Sequence, residues 1–215
     1  MIRIAIVLGS TRPARRVDQV ASWVLAEARA RSADSGDTVF ELLDLADFEL
    51  PLLDEPVPAA IGSYQNPHTR RWAEAVASYD GFIFVTPEYN HSMPASLKNA
   101  IDYLFAEWND KVAGFVSYGL HGGVRAVEHL RLSLAEVKVA CVRSQVVLSL
   151  FTDFELTDPA LPGTFRPGEH HGPVLDRLVE EVRAWSGALA QLRPPTAPPV
   201  TPRVQTGADR SLVAR

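Results

Sequence analysis

Residues Thr86 to Leu104 read TPEYNHSMPASLKNAIDYL and put a carboxylate, an aromatic face and an amide into one short turn: Glu88, Tyr89 and Asn90. Pro87 and Pro94 flank these groups, and each fixes a backbone dihedral. An apolar run, Phe82-Ile83-Phe84-Val85, leads into the turn, and a helix-like stretch leaves it. A turn of this kind at the carboxyl end of a strand is where an α/β sheet holds a planar ligand. A second concentration is Gly9-Ser10-Thr11-Arg12-Pro13-Ala14-Arg15-Arg16-Val17. A phosphate dianion calls for backbone N–H groups, hydroxyls and a cation at a helix N-terminus. Ser10, Thr11, Arg12 and Arg15 supply such groups, and Val17 offers only its backbone N–H. An ordinary solvated helix start would show the same residues, and the glycine spacing is neither GxGxxG nor a P-loop. The third is Ser117-Tyr118-Gly119-Leu120-His121-Gly122-Gly123, whose glycines let backbone approach a flat ring closely; a plain turn and helix start is the alternative.

These groups need a frame to hold them. β-branched apolar runs recur along the chain, at Ile2–Leu8, Val39–Leu45, Phe82–Val85, Lys111–Ser117 and Val139–Leu148. Helical patterns stand between and after them: VDQVASWVLAEARARS, Pro67–Tyr79, Ser96–Phe105, about Val124–Glu136 and Gly172–Leu192. Such alternation predicts a parallel sheet covered by helices on both faces. The three chemistry-bearing loops come after the first, third and fourth strands. Two stretches break the repeat, Ala46–Asn66 and Phe151–His171, and long loops of this kind tend to be lids or interface arms. From Arg193 the chain carries PPTAPPVTPR and reads as a flexible tail outside a domain of residues 1–192.

The chain has 215 residues, enough for one domain with a well-buried core, and a formal net charge of -5. That charge argues against non-specific nucleic-acid binding, which needs a basic face. No apolar run approaches the roughly 20 residues of a membrane span, so the cytoplasm is the expected location. One cysteine, Cys141, excludes an intramolecular disulfide and reads as a buried inert thiol. His170-His171, with Asp153 and Glu155 nearby, lack metal-ligand spacing, so no metal site is expected. Lys98, Asn99 and Asp102 read as anchors of their helix.

The run PEYN, then a small residue, a proline and LKNAIDYL, resembles the signature of the NADPH-dependent FMN reductases, and GSTR resembles that family's phosphate loop. The resemblance spans about Ile2 to Leu150. It implies a flavodoxin-like, three-layer α/β/α fold with strand order 2-1-3-4-5. It also implies bound FMN held by Ser10, Thr11, Arg12, Arg15, Val17, Pro87, Glu88, Tyr89, Asn90, Ser117, Tyr118, Gly119, Gly122 and Gly123. Backbone N–H groups near Tyr89, Asn90 and Gly119 are then the candidates to face negative charge on the ring. The activity implied is hydride transfer from NADPH or NADH to FMN, then to a small-molecule acceptor such as a quinone, azo compound, metal oxyanion or free flavin. No protein acid or base is assigned, because the flavin carries that chemistry. A homodimer or homotetramer is implied, with the PEYN helix and the Ala46–Asn66 excursion at its interface. The alternative is a flavodoxin-like electron carrier or redox-responsive binding protein without turnover.

Overall fold

The computed structural model of the chain describes residues 1–32, 36–158 and 160–193. Five parallel strands form its central sheet: β1 (Ile2–Leu8), β2 (Thr38–Asp44), β3 (Gly81–Pro87), β4 (Lys111–Gly119) and β5 (Val139–Ser149). Their order is β2-β1-β3-β4-β5, as the resemblance implies. β3 and β4 are buried along their whole length, which is why both read as continuous apolar runs rather than as alternation.

Helices cover both faces. On one side α1 (Val17–Ser32) and α5 (His171–Leu189) pack Val20, Val24, Leu178 and Val182 against Ile4, Ile6, Ile83 and Val116. On the other, α2 (Pro67–Ala77), α3 (Ala95–Asp102) and α4 (Val124–Glu136) pack Trp72, Leu97, Ile101 and Leu130 against Val7, Phe82, Phe84 and Phe115. The apolar residues of α1 recur three and four apart, so they line the stripe that faces the sheet. Pro67 opens α2 at a position where a missing N–H costs nothing. Trp72 and Trp108 are buried because their indole N–H groups find carbonyls, Ala100 at 2.8 Å and Ile101 at 3.2 Å.

Several expected boundaries shift. β2 starts at Thr38 and ends at Asp44, and α2 stops at Ala77 although Tyr79 beyond it is still buried. The closing helix begins at His171 and finishes in a 3-10 turn, Ala190–Leu192. The 151–171 stretch holds a small antiparallel hairpin, β6 (Phe154–Glu155) with β7 (Thr164–Phe165). The excursion over 46–66 is pinned to α3: Tyr103 Oη donates to Asp54 at 2.9 Å and Asn99 Nδ2 donates to the Pro51 carbonyl at 2.7 Å. Asn99 therefore anchors the excursion, while Lys98 and Asp102 pair along their own helix at 2.6 Å. Burial pushes the Cys141 thiol up to about 11, in keeping with an inert side chain. Of the tail expected over 193–215, Arg193 is described and is tied to the body, donating to Asp80 at 2.6 Å; the rest lies outside the described residues.

At the amino edge of the sheet Lys111 is 4% exposed. Its Nζ donates to the Val76 carbonyl at 2.7 Å and lies 5.6 Å from the Phe82 ring centroid. Burial, and after it the charge of Arg193, lowers its pKa from 10.5 to about 7, against the opposing pull of Asp80 and Glu107. Between those two values the unfolded chain holds a proton that the folded one does not. Stability therefore rises with pH through the window, and the cost of the buried ammonium is fully present below it. Lys111→Met should remove that slope. The Tm of the variant minus that of the natural protein should fall by several degrees between pH 7 and pH 10 in paired thermal melts, at roughly 2–4 °C per kcal/mol for a chain this size. A difference that stays constant across the range would show an ordinary, charged lysine.

Candidate active site

β1 pairs with β3 so that Leu8 lies opposite Val85, and β3 pairs with β4 so that Pro87 lies opposite Tyr118. The carboxyl ends of β3 and β4 are thus nearly level, β1 ends two residues short of β3, and their loops meet at one edge. The order in which the chain fills the sheet reverses between β1 and β3, the place where open α/β sheets bind ligands. A cleft of about 180 Å³ lies there, walled by Arg12, Ala14, Arg15 and Arg16 on one side and by Pro87, Glu88, Tyr89, Tyr118, Gly119 and Leu150 on the other. Thr11 faces away, into a neighbouring hollow of about 260 Å³ bounded by Leu45, Glu49, Ser96 and Asn99.

In the first loop Ser10 is fully buried, and its hydroxyl shares a 2.9 Å hydrogen bond with the Tyr89 hydroxyl. That bond ties the loop to the turn after β3. Arg15 does not point freely at the cleft. It is bonded to Asp18 at 2.8 Å, to the Ser10 carbonyl at 2.7 Å and to both oxygens of Asp44 at the end of β2. The Asp44 bond raises the Arg15 pKa. Burial pushes the Asp44 carboxyl up, but Arg15 and the Ala46 amide outweigh it and hold it below the usual carboxylate range. Arg12 is different: it is exposed, and its guanidinium has no partner among the described residues. It stands just before α1, whose first-turn amides have no carbonyl of their own helix to bond. The Val17 side chain is buried, so only its N–H is offered.

In the second loop Tyr89 and Ser92 exchange both backbone hydrogen bonds, at 2.9 and 3.1 Å. Asn90 and His91 between them have φ of 47° and 74°, the geometry of a two-residue type I′ turn. Asn favours that region because its short polar side chain bonds locally. The Tyr89 N–H, one candidate to face the ring, is therefore taken by Ser92, and the Glu88 N–H by the Tyr118 carbonyl at 3.2 Å. The Glu88 carboxylate is 7% exposed. It pairs with the Arg125 guanidinium and also accepts the Arg125 N–H at 3.2 Å. Arg125 in turn donates to His91 Nδ1 at 3.1 Å. Sequence reading passes over Arg125. Its signal is a cation in the first turn of α4, where the helix dipole disfavours one unless a carboxylate answers it.

In the third loop Gly122 and Gly123 have φ of 71° and 72°. A Cβ at Gly122 would come within 2.1 Å of Val147 Cγ1, and one at Gly123 within 2.9 Å of Ser117 Cβ. These two glycines serve the packing of the loop itself, while Gly119 borders the cleft. Ser117 is buried, donates to the Gly122 carbonyl at 2.6 Å and accepts from Gln145 at 3.1 Å, so it also shapes the turn from beneath. Tyr118 forms part of the wall, and burial, with Tyr89 next, raises its pKa. Ala14 and Leu150, which also line the cleft, carry no sequence signal of their own, while Arg16 belongs to the basic run of the first loop.

The family model for NADPH-dependent FMN reductases matches residues 2–153. An NAD(P)H-dependent FMN reductase of Nectria sp, ntnL, is 42% identical over 160 residues, covering 71% of this chain and 79% of that protein. An NAD(P)H-dependent FMN reductase of Schizosaccharomyces pombe is 37% identical over 172 residues, covering 78% and 84%. The crystal structure of an oxidoreductase from Corynebacterium diphtheriae superposes with a TM-score of 0.65 at 14% identity, over 87% of this chain and 98% of that one, a likeness of fold. With its strand order, its three converging loops and this match over most of its folded length, the chain belongs to the NADPH-dependent FMN reductase family, oxidoreductases that use NAD(P)H as electron donor and FMN as cofactor.

Proposed function

We propose that the cleft between the β1, β3 and β4 loops holds FMN and that the enzyme passes reducing equivalents from NADPH or NADH to a small planar acceptor, a quinone or azo compound first. Metal oxyanions and free flavin are the other acceptor classes. The observation that carries this reading is Arg12, exposed and without a side-chain partner among the described residues, beside the N-terminus of α1 and on the same cleft as an aromatic and glycine-lined wall. The donor set suits the cofactor's two ends. Arg12 and the first-turn amides of α1 would hold the phosphate. Tyr118, Gly119, Tyr89 and Asn90 would border the ring. Arg15 would contribute by fixing the loop, and Glu88 by fixing the turn. FMN, when bound, supplies the hydride and electron chemistry between nicotinamide and acceptor.

The protein's own part is orientation and electrostatics. Arg125 neutralises Glu88, so the cleft does not present an uncompensated carboxylate to an electron-rich ring. The residues after the lining Gly119 and Leu150, Leu120 and Phe151, are exposed and apolar, which favours a flat, weakly polar acceptor. We assign the assembly as a homodimer or homotetramer, with Leu52 and Ile61 on the pinned excursion as contact residues, because both stand out in solvent on a segment that α3 holds rigid. A cytoplasmic location belongs to the same reading; among the described residues no helix is long and apolar enough to cross a membrane.

The difference between the arginines and the sharing of one cleft each generate an expectation. Arg12→Ala should weaken FMN binding roughly tenfold to a hundredfold, the worth of a charge-assisted hydrogen bond, and leave riboflavin binding nearly unchanged. Arg15→Ala should lower the Tm and weaken both flavins alike, because it strands Asp44 and Asp18. Fluorescence titrations with each flavin separate the two patterns, and equal losses for Arg12→Ala would remove it from the phosphate site. One cleft serving donor and acceptor in turn should give parallel double-reciprocal lines when NADPH is varied at several fixed quinone concentrations. Intersecting lines would place the two substrates in separate sites.

A further inference from the structure

We infer that the arm between β5 and α5 is a clasp that sets how long the cleft keeps its flavin, and that Asp153 and Gln19 are the positioning residues that close it. The inference rests on the cleft being the FMN site. Asp153 fastens the base of the arm. Its side chain is 3% exposed and accepts from the Ser149 N–H at 2.8 Å, Thr152 Oγ1 at 3.2 Å, the Gly168 N–H at 3.2 Å and His171 Nε2 at 2.9 Å. Its carbonyl accepts the Arg166 N–H at 2.8 Å. One residue thereby joins the end of β5 to the start of α5 and closes the hairpin between them.

Gln19, in the first turn of α1, fastens the tip. Its Nε2 donates to the Gly163 carbonyl at 2.9 Å and its Oε1 accepts the Phe165 N–H at 2.9 Å, so the one amide satisfies a donor and an acceptor of the arm. Arg16, from the loop that carries Arg12, donates to the Leu161 carbonyl at 2.8 Å. Inside the arm Phe165 meets the Trp23 ring edge-on with centroids 5.6 Å apart, and Phe154 lies 5.9 Å from the Tyr118 ring. The arm thus grips the cleft from both sides, through the phosphate-loop helix and through the aromatic wall. Yet neither Gln19 nor Asp153 lines the cleft. Their effect on a bound flavin must run through Arg16, the start of α1 and Tyr118. Opening the arm loosens those groups, and a flavin that orders them must in turn keep the arm shut.

The test is made on the flavin-loaded enzyme, comparing the natural protein with Gln19→Ala, Gln19→Glu and Asp153→Asn. The readouts are FMN release on dilution, tracked by flavin fluorescence, and amide hydrogen exchange across 161–168 by mass spectrometry. Gln19→Ala should speed FMN release roughly tenfold, as expected for two neutral hydrogen bonds, and deprotect 161–168 while amides of β1 and β3 keep their protection. Gln19→Glu keeps the acceptor for Phe165 but loses the donor to Gly163, and should fall between the two. Asp153→Asn, which loses acceptor capacity at the base, should give the same pattern as Gln19→Ala; if it does not fold, the two Gln19 variants decide. An arm that becomes deprotected while FMN leaves at the natural rate overturns the clasp and leaves the cofactor site intact. A natural protein that retains no FMN overturns the site reading itself.

Discussion

β3 is hydrogen-bonded to β1 on one edge and to β4 on the other, and both of its faces are buried. Its peptide groups are engaged by the ladders on both edges, and its buried side chains must be apolar or satisfied, so a reactive group is disfavoured within the strand. Polar chemistry is pushed to the point where the ladder ends. Because the three strands end within a few residues of one another, the loops that leave them arrive at one place. Helices on both faces supply the burial that makes this arrangement stable. The site is a by-product of that pairing, and the loops only specialise it.

Much of this was legible because the signals were local. Val124–Glu136 carried a clean helical period and forms that helix, and Phe82 to Val85 lies inside β3. The strand order was not in the periodicity; it came from the resemblance. What escaped depended on partners distant in sequence. Arg15 reads as a phosphate-loop cation until β1 and β2 pair and bring Asp44 beside it. Glu88 reads as part of the ligand-holding turn until α4 presents Arg125. The bond between Asp153 and His171, 2.9 Å long, also escaped, because it crosses an arm whose two-residue strands are too short to show any period.

The charges around the cleft fall into two groups with different duties. Arg15, Asp44 and Glu88 are largely shielded, Arg125 is partly exposed, and all four are paired and committed to holding loops against each other. Breaking one such pair leaves its partner stranded, which costs more than the pair itself contributes. Arg12 is exposed and has no partner among the described residues, so a ligand can use it without first displacing a protein group. Paired charges beside an exposed Arg12 give the cleft a rigid outline and a point of attraction for an anion.

The turn at Asn90 and His91 has a consequence for anyone wishing to redirect this enzyme toward other acceptors. These two residues form the one consecutive non-glycine pair with positive φ among the described residues. Each ordinary side chain placed there would add roughly 1–2 kcal/mol of backbone strain, and a β-branched one more. The tolerated alphabet at both positions therefore shrinks toward glycine, asparagine, aspartate and histidine. A randomised library centred on the best-marked motif of the chain would consist mainly of destabilised proteins. Leu120 and Phe151, exposed and free of positive φ, are the positions where sequence diversity can be explored without disturbing the frame.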